Sequence, residues 1–463
     1  MKYGGVKMTF TKKAMCILLV ASVCAYAFCG GSPEQKSATN LEVAIQKVLV
    51  DKEPVEISFW TGTGAQNYPY LEAMVNAFMA AYPNIKVDFS NQGALNDLTV
   101  KLTQNIVSRT TPTVSNLNAP TFPEYIASDA IVDLAPYYAD ATIGYTNEQK
   151  ADFFGNYIAE VQSFGPEGTM YAWPTNKKTT DILVYNKTFF DAHGWSAPTT
   201  WDEVVAYCEI IKAETGKPGF SYDTSYGEAA FKTMTSQWGS PYVTKDGVVD
   251  IENQASLEVL EFFKENMDKG LFTLPALMPS AGGNYSNSGF VMEECYMFIG
   301  PAAGIQYAVP SVSKGQKDFE IGVAAIPQKE AGKAVAFSKG ENYAVFSNST
   351  TEQRVAAWLM IKFLSAAENN VDWFVNTGNL PISRSQVENP AYQEFLATEK
   401  GTKAFYYASA VNAALKMQDI MSFDVAFGNA DKLATEVGSM WKAVMIGGAD
   451  PATALAETAA KFK

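Results

Sequence analysis

Residues 70–90 read YLEAMVNAFMAAYPNIKVDFS, and the fold is worked out from that stretch. Over 70–82 the apolar residues recur at helical spacing. Pro83-Asn84 stops the helix, and IKVDFS over 85–90 reads as a strand. Upstream, EISFW at 56–60 is a strand that runs into a Gly/Thr loop, Thr61-Gly62-Thr63-Gly64. Downstream, LNDLTVKLTQNIVS (95–108) is a second helix and TVSNL (113–117) a third strand. Strand–helix–strand–helix–strand is the order of a parallel sheet covered by helices. Such sheets place ligands in the loops beyond the strand C-termini, which here are 61–66, 90–94 and 118–121. Further along, TDILVYN (180–186) is a strand, and 201–213 and 256–268 are helical. Strand-like runs return at 296–299, 319–326 and 343–346, and the end is mostly helical, including 352–364 and 429–445. No repeats are present. An α/β chain that comes back to strands so late fits two lobes joined by more than one crossover.

The N-terminus has the charge order of an export signal. Lys7, Lys12 and Lys13 precede AMCILLVASVCAYAF (14–28), and Cys29-Gly30-Gly31-Ser32 follows. The apolar run is short for a membrane span. Cys29, at the end of the signal and before a Gly/Ser tether, resembles the lipidation site of bacterial lipoproteins, although Phe28 stands where those sites prefer a small residue. Two alternatives remain: ordinary cleavage after Ala25-Tyr26-Ala27, and an uncleaved anchor helix. Residues 30–54 read as a tether with a short amphipathic piece at 41–50. Removing the first 28 residues takes Lys2, Lys7, Lys12 and Lys13 and leaves 31 basic against 49 acidic residues, a net charge of −18. That argues against nucleic acid and anionic lipid surfaces as partners. The single histidine, His193, argues against histidine-based zinc sites and Ser-His-Asp triads, so no metal or cofactor is expected. Cys208 and Cys295 read as buried small hydrophobes.

Several segments resemble bacterial extracellular solute-binding proteins of the maltose-binding and glycerol-phosphate-binding type. EISFW with its polar loop is one, and YLEAMVNAFMAAYPNIKVDFS, with its helix–Tyr-Pro–strand junction, is another. IVDLAPYY (131–138), YAWPTNKKTTDILVYNKTFFDAHG (171–194), TTWDEVVAY (199–207), GPAAG (300–304) and TGNLPIS (377–383) continue the series in order. The resemblance implies a periplasmic-binding-protein-like fold: two α/β lobes joined by a hinge with a ligand cleft between them. It places a signal peptide at 1–28 and a lipidated tether at 29–54. The N-terminal lobe takes 55–178 with about 322–341, and the C-terminal lobe takes 179–321 with about 342–463. It implies a monomer, exported and held by its lipid at a periplasmic membrane surface. That monomer delivers a sugar, polyol, glycerol phosphate or glycerophosphodiester to the permease subunits of an ABC importer.

A polyol site needs flat side chains for C–H faces and directed polar groups for hydroxyls. The candidates in the cleft loops are Thr61, Thr63 and Gln66 after the first strand and Asn118 after the third. At the crossover stand Lys177, Lys178, Thr179, Thr180 and Asp181; Thr179 or Thr180 is the nearest counterpart of a ligand-binding serine in the glycerol-phosphate branch. Two lysines here favour an anion or are simply a solvated loop. Tyr222, Tyr226 and Trp238 are the candidate stacking aromatics. Gly300 and Pro301 match the family's binding loop, and Gly340, Glu341 and Asn342 precede the return strand. Asn379 occupies the place of that branch's ligand tyrosine, and Ala426 falls where its arginine would be. An exported glycan-active enzyme is the competing reading, with Glu293-Glu294 and Asp202-Glu203 as carboxylate neighbours. Adjacent carboxylates point apart on either a helix or a strand. A ligand-less surface or adhesion lipoprotein is the third.

Overall fold

The computed structural model describes residues 40–176, 178–224, 227–283, 285–400 and 402–463. Cys29 and the signal, Lys177 and Tyr226 lie outside the described residues. Numbered along the chain, the strands are β1 (Val55–Thr61), β2 (Ile85–Asn91), β3 (Val114–Leu117), β4 (Trp173–Pro174) and β5 (Thr179–Asn186). Next come β6 (Phe220–Tyr222), the hairpin β7 (Tyr242–Val243) and β8 (Val249–Asp250), β9 (Phe272–Thr273) and β10 (Met297–Pro301). β11 (Ile321–Ala324), β12 (Ala336–Lys339), β13 (Asn342–Val345) and β14 (Met421–Ser422) complete them.

They form two main sheets. The first runs β2-β1-β3-β13-β4 and the second β14-β12-β5-β10-β6-β9, with β11 alongside β5. β1 pairs parallel with both β2 and β3, as the opening alternation requires. The helix Tyr68–Ala81 carries Pro69 in its first turn and buries Leu71, Met74, Val75 and Phe78, a stripe at i, i+3, i+4 and i+7. The helix Trp201–Thr215 opens with a reciprocal cap between Thr200 and Glu203 and closes at Gly216 with φ 70°, the left-handed residue that glycine tolerates. In the first lobe Trp173 stacks on Tyr145 at 5.0 Å and meets Trp358 edge-on at 5.5 Å. In the second, Trp201 packs edge-on to Phe220 and donates to Gln237 Oε1 at 2.7 Å. Cys208 and Cys295 are buried free thiols. No helix among the described residues is long and apolar enough to cross a membrane.

Two boundaries differ from the sequence expectation. The sequence reading places about 322–341 in the first lobe and about 342–463 in the second. In fact β11 and β12 pair with β5 in the second sheet, while β13 sits between β3 and β4 in the first. The helix Thr351–Leu364 then covers the first sheet against β1. Only afterwards does the chain return: Lys403–Leu415 packs on β5 and β11, and Ala430–Met445 and Pro451–Ala460 pack on Gln254–Asp268. All four residues of β13 are buried, and a strand buried on both faces does not reveal from its own pattern which sheet receives it. The expected tether (29–54) also ends sooner. Residues 40–50 are helical, with Leu41, Ala44, Ile45 and Val48 buried. Lys47 pairs with Glu352 at 2.8 Å, and Asn84 donates to the Val48 carbonyl at 2.9 Å. That apolar face is part of the first lobe's core.

The lobes are joined where β4 passes to β5, where β12 passes to β13, and where the chain returns ahead of Lys403–Leu415. Lys178 lies in the first crossover and Asn342 opens the strand after the second. Lys178 Nζ donates to Glu160 Oε2 and to Asn342 Oδ1, both at 2.9 Å, and Asn342 Nδ2 donates to Glu160 Oε1 at 3.0 Å. Leu380 N donates to the Lys178 carbonyl at 2.7 Å, which brings a third segment to the same point. Lys178 is fully buried. It is a cross-tie of the hinge, not a solvated loop residue or an open anion site, and Asn342 is spent in the same tie.

Candidate functional site

The second sheet brings one group of polar residues to one of its ends through register alone. Pro301 lies opposite Asp181, Ile299 opposite Tyr222, and Lys339 opposite Thr179. β5 therefore begins where β6, β10 and β12 end. Lys339 Nζ stands 2.8 Å from both oxygens of Asp181, and the Tyr222 hydroxyl reaches Asp181 Oδ2 at 3.5 Å. Asp223, next in sequence, accepts from Ser286 N at 2.6 Å. Burial pushes its carboxyl up to about 7; the Ser286 donors pull it back, nearby Asp181 adds to the rise, and Lys339 opposes it. Gly300 is needed here, since a Cβ would lie 2.5 Å from Asp223 Oδ2. Thr179 Oγ1 accepts from Ala303 N at 3.4 Å, and Thr180 turns its hydroxyl to the Phe337 carbonyl at 2.8 Å.

The first-lobe candidates are more occupied. Thr61 and Thr63 are fully buried, their hydroxyls 2.8 Å apart, and Asn91 holds the Thr63 carbonyl at 2.6 Å. They border a void of about 10 Å³, room for one water at most. Glu341 accepts from Asn116 Nδ2, and its backbone carbonyl accepts from the Thr175 hydroxyl at 2.8 Å. Gly340, at φ 137°, makes the turn before it. Asn118 accepts from Thr121 N at 3.1 Å, a turn role. Asn379 is buried, and its N–H donates to Thr377 Oγ1 at 3.3 Å. Gln66 is exposed and accepts from the Tyr307 hydroxyl of the second lobe at 3.4 Å.

Trp238 does not join the site. It packs between Trp201 and Phe262, with Lys329 Nζ 4.8 Å over its ring. Glu228, Lys232 and Ser236, four residues apart along the helix Ala229–Gln237 and its first flank, face the cleft instead; Trp238, at the end of that helix, lies on the other side. Three of the four carboxylates of the enzyme reading are likewise taken, and Asp202 is exposed in the first turn of Trp201–Thr215. Glu203 is a helix cap, Glu293 accepts from Asn186 at 3.1 Å, and Glu294 accepts from the Ser280 hydroxyl at 2.8 Å.

The open space is a cleft of about 910 Å³ lined from both lobes. Ala119, Pro120, Ala159 and Ser163 face it from the first lobe, and Phe337, Phe423, Phe427 and Tyr242 from the second. Its charged wall is a cluster the sequence reading missed. Lys232 Nζ lies 2.7 and 2.9 Å from the two Asp424 oxygens, 3.6 Å from Glu228, and 5.1 Å over the Phe337 ring. Burial works against the Lys232 charge, yet Asp424 and Glu228 together hold its pKa above the ordinary value. The signal was available in SFDVAFGN (422–429), where two phenylalanines flank an aspartate in a loop. Among the described residues no group of His, Cys, Asp or Glu is placed to hold a metal ion.

Two α/β lobes, crossed by a hinge and lining one polar-aromatic cleft, define a two-lobed ligand-binding protein. A family profile of bacterial extracellular solute-binding proteins matches residues 73–399, and the chain belongs to that family. It is 23% identical over 308 residues to the arabinooligosaccharide-binding protein of Bacillus subtilis, covering 65% of this chain and 62% of that relative. It is 23% identical over 350 residues to the sn-glycerol-3-phosphate-binding periplasmic protein of Salmonella typhimurium, covering 71% and 74%. Among solved structures, the cyclic alpha-maltosyl-1,6-maltose binding protein of Arthrobacter globiformis superposes with TM-score 0.71 at 20% identity, covering 88% of this chain and 97% of the other. The Mycobacterium tuberculosis protein UgpB, in complex with glycerophosphocholine, does so with TM-score 0.70 at 16% identity, covering 88% and 97%. At those identities the likeness establishes the fold.

Proposed function

We propose that this protein is the solute-capturing component of an ABC importer. The cleft closes about the hinge on a small polar solute, and the closed form delivers it to the permease subunits. The observation that carries this is the cleft of about 910 Å³, walled by both lobes and backed by the crossovers that tie them. That size suits a small ligand. The relatives' names support a sugar, polyol, glycerol phosphate or glycerophosphodiester as cargo. Thermal unfolding against a panel of those four classes tests the reading. A ligand at about a thousand times its Kd should stabilise the protein by about 4 kcal/mol; a panel in which no solute raises Tm would sink it.

The same reading takes the chain to be exported, tethered through lipid on Cys29, and monomeric, with no catalytic step. The charge order ahead of Cys29 supports the tether. Mass spectrometry of protein extracted from its own membranes should find a lipid-modified N-terminus at Cys29. An unmodified N-terminus at Phe28 would show ordinary cleavage instead.

A further inference from the structure

We propose that the cleft takes an uncharged polyhydroxylated ligand, a neutral glycan, and turns away phosphorylated solutes, with Lys232 and Asp424 setting the choice. This rests on the solute-capture reading and decides between the two ligand chemistries that the relatives' names leave open.

A phosphate ester needs an uncommitted cation, an arginine fork or an open helix N-terminus. Among the described residues the interior of the cleft withholds each. Its buried lysine, Lys232, is matched by Asp424 and Glu228, and Lys339, outside the lining, by Asp181. Lys178, behind them in the hinge, is matched by Glu160. Lys245 is exposed on the rim beside Asp246. The chain has three arginines. Arg109 ends the helix Leu95–Ser108, Arg354 donates to the Ser347 carbonyl at 2.5 Å, and Arg384 donates to the Ala151 carbonyl at 2.9 Å. None lines the cleft. Two α-helices begin at its wall, each with an acid there: Glu228 immediately precedes Ala229–Gln237, and Asp431 lies in the first turn of Ala430–Met445; the short turn Ala119–Thr121, which also starts at the wall, carries Pro120, which has no N–H to give.

What the cleft offers instead fits sugar hydroxyls. The aromatic side chains of Phe337, Phe423, Phe427 and Tyr242 suit C–H surfaces. Asp424 is 41% exposed while the Lys232 ammonium that holds it is 5% exposed, so the pair presents a carboxylate acceptor to the cleft. A sugar hydroxyl can donate to it. A phosphate only accepts, and it would meet the carboxylates of Asp424 and Glu228.

Calorimetric titration of the protein tests this. The probes are short neutral arabino- and malto-oligosaccharides, sn-glycerol 3-phosphate, glycerophosphocholine and inorganic phosphate. At least one neutral oligosaccharide should bind about a hundredfold more tightly than any phosphorylated probe, with little dependence on salt. Asp424→Asn should weaken that glycan about tenfold and strengthen sn-glycerol 3-phosphate about tenfold, by releasing Lys232. Ala426→Arg adds a cation on the cleft wall without touching the ion pair, so it gives the same gain for sn-glycerol 3-phosphate even if Asp424→Asn folds poorly. A phosphorylated probe that binds the wild type as tightly as any glycan overturns this inference and leaves solute capture standing. Binding of no probe overturns both. A glycan that binds while both variants leave phosphate affinity unmoved overturns the assignment to Lys232 and Asp424.

Discussion

Replacing Lys178 with methionine should lower the unfolding free energy by about 3–5 kcal/mol. The lysine is fully exposed to neither solvent nor ligand: its ammonium is buried, 2.9 Å from Glu160 Oε2 and 2.9 Å from Asn342 Oδ1. Methionine fills a similar volume, so the main change is electrostatic. Among the described residues it leaves Glu160, itself buried, with the Asn342 amide at 3.0 Å as its side-chain partner. An uncompensated buried carboxylate is the expensive outcome. Urea denaturation should show a lower midpoint with an unchanged slope. The paired variant Lys178→Met with Glu160→Leu should recover most of the loss, because removing both charges avoids the uncompensated one. A loss below about 1 kcal/mol for the single variant would place this pair in the range of surface salt bridges. Since Lys178 and Asn342 belong to two of the crossovers, the change should also loosen the hinge.

The second large effect is a pH dependence carried by Asp223. Its folded pKa, about 7, stands above the ordinary 3.8. The folded protein therefore holds this proton more tightly than the unfolded chain does. The associated stability is complete below about pH 4, declines as pH rises and is lost once pH passes about 7. Three pKa units correspond to about 4 kcal/mol in all, of which about 3 kcal/mol falls between pH 5 and pH 8. The groups around it fix the direction: Ser286 donates to it, the Asp181–Lys339 pair stands nearby, and Gly300 packs against its carboxylate. Asp223→Asn keeps the shape and removes the titration. Unfolding free energies at those two pH values should fall for the wild type relative to Asp223→Asn. A difference that stays flat across the range would contradict the buried, raised carboxyl.

Much of the fold was legible in local pattern. The helix Leu95–Ser108 runs over the residues the sequence indicated, and its buried Leu98 and Leu102 sit one turn apart. The parallel opening followed from alternation alone. The address of late strands was not legible. Tyr343, Ala344 and Val345 are apolar and buried, and their partner β3 lies more than 200 residues upstream. Four-residue β12, AFSK, carries too little pattern to stand out. Of the expected site residues, register gathers Asp181, Tyr222, Gly300 and Pro301 and places Thr179 beside them. Thr61, Thr63, Thr180 and Asn379 are buried within the lobes, and Asn342 is held by the hinge. Lys178 reads as a loop residue because its counter-charge is 18 residues away and its amide partner 164. The cleft wall was missed for the same reason. Lys232, Phe337 and Asp424 come from three distant segments, and SFDVAFGN drew notice for the arginine it lacks at Ala426 rather than for the aspartate and aromatics it holds.

The cleft between the two sheets as the ligand site is tested most directly by a crystal structure of the protein with whichever solute raises Tm most. The expected result is solute density between the lobes, against the ring of Phe337 or Phe427 and within hydrogen-bond distance of Asp424, with the Lys178–Glu160–Asn342 tie intact. Solute density seated outside the cleft, or held by one lobe alone, would contradict it.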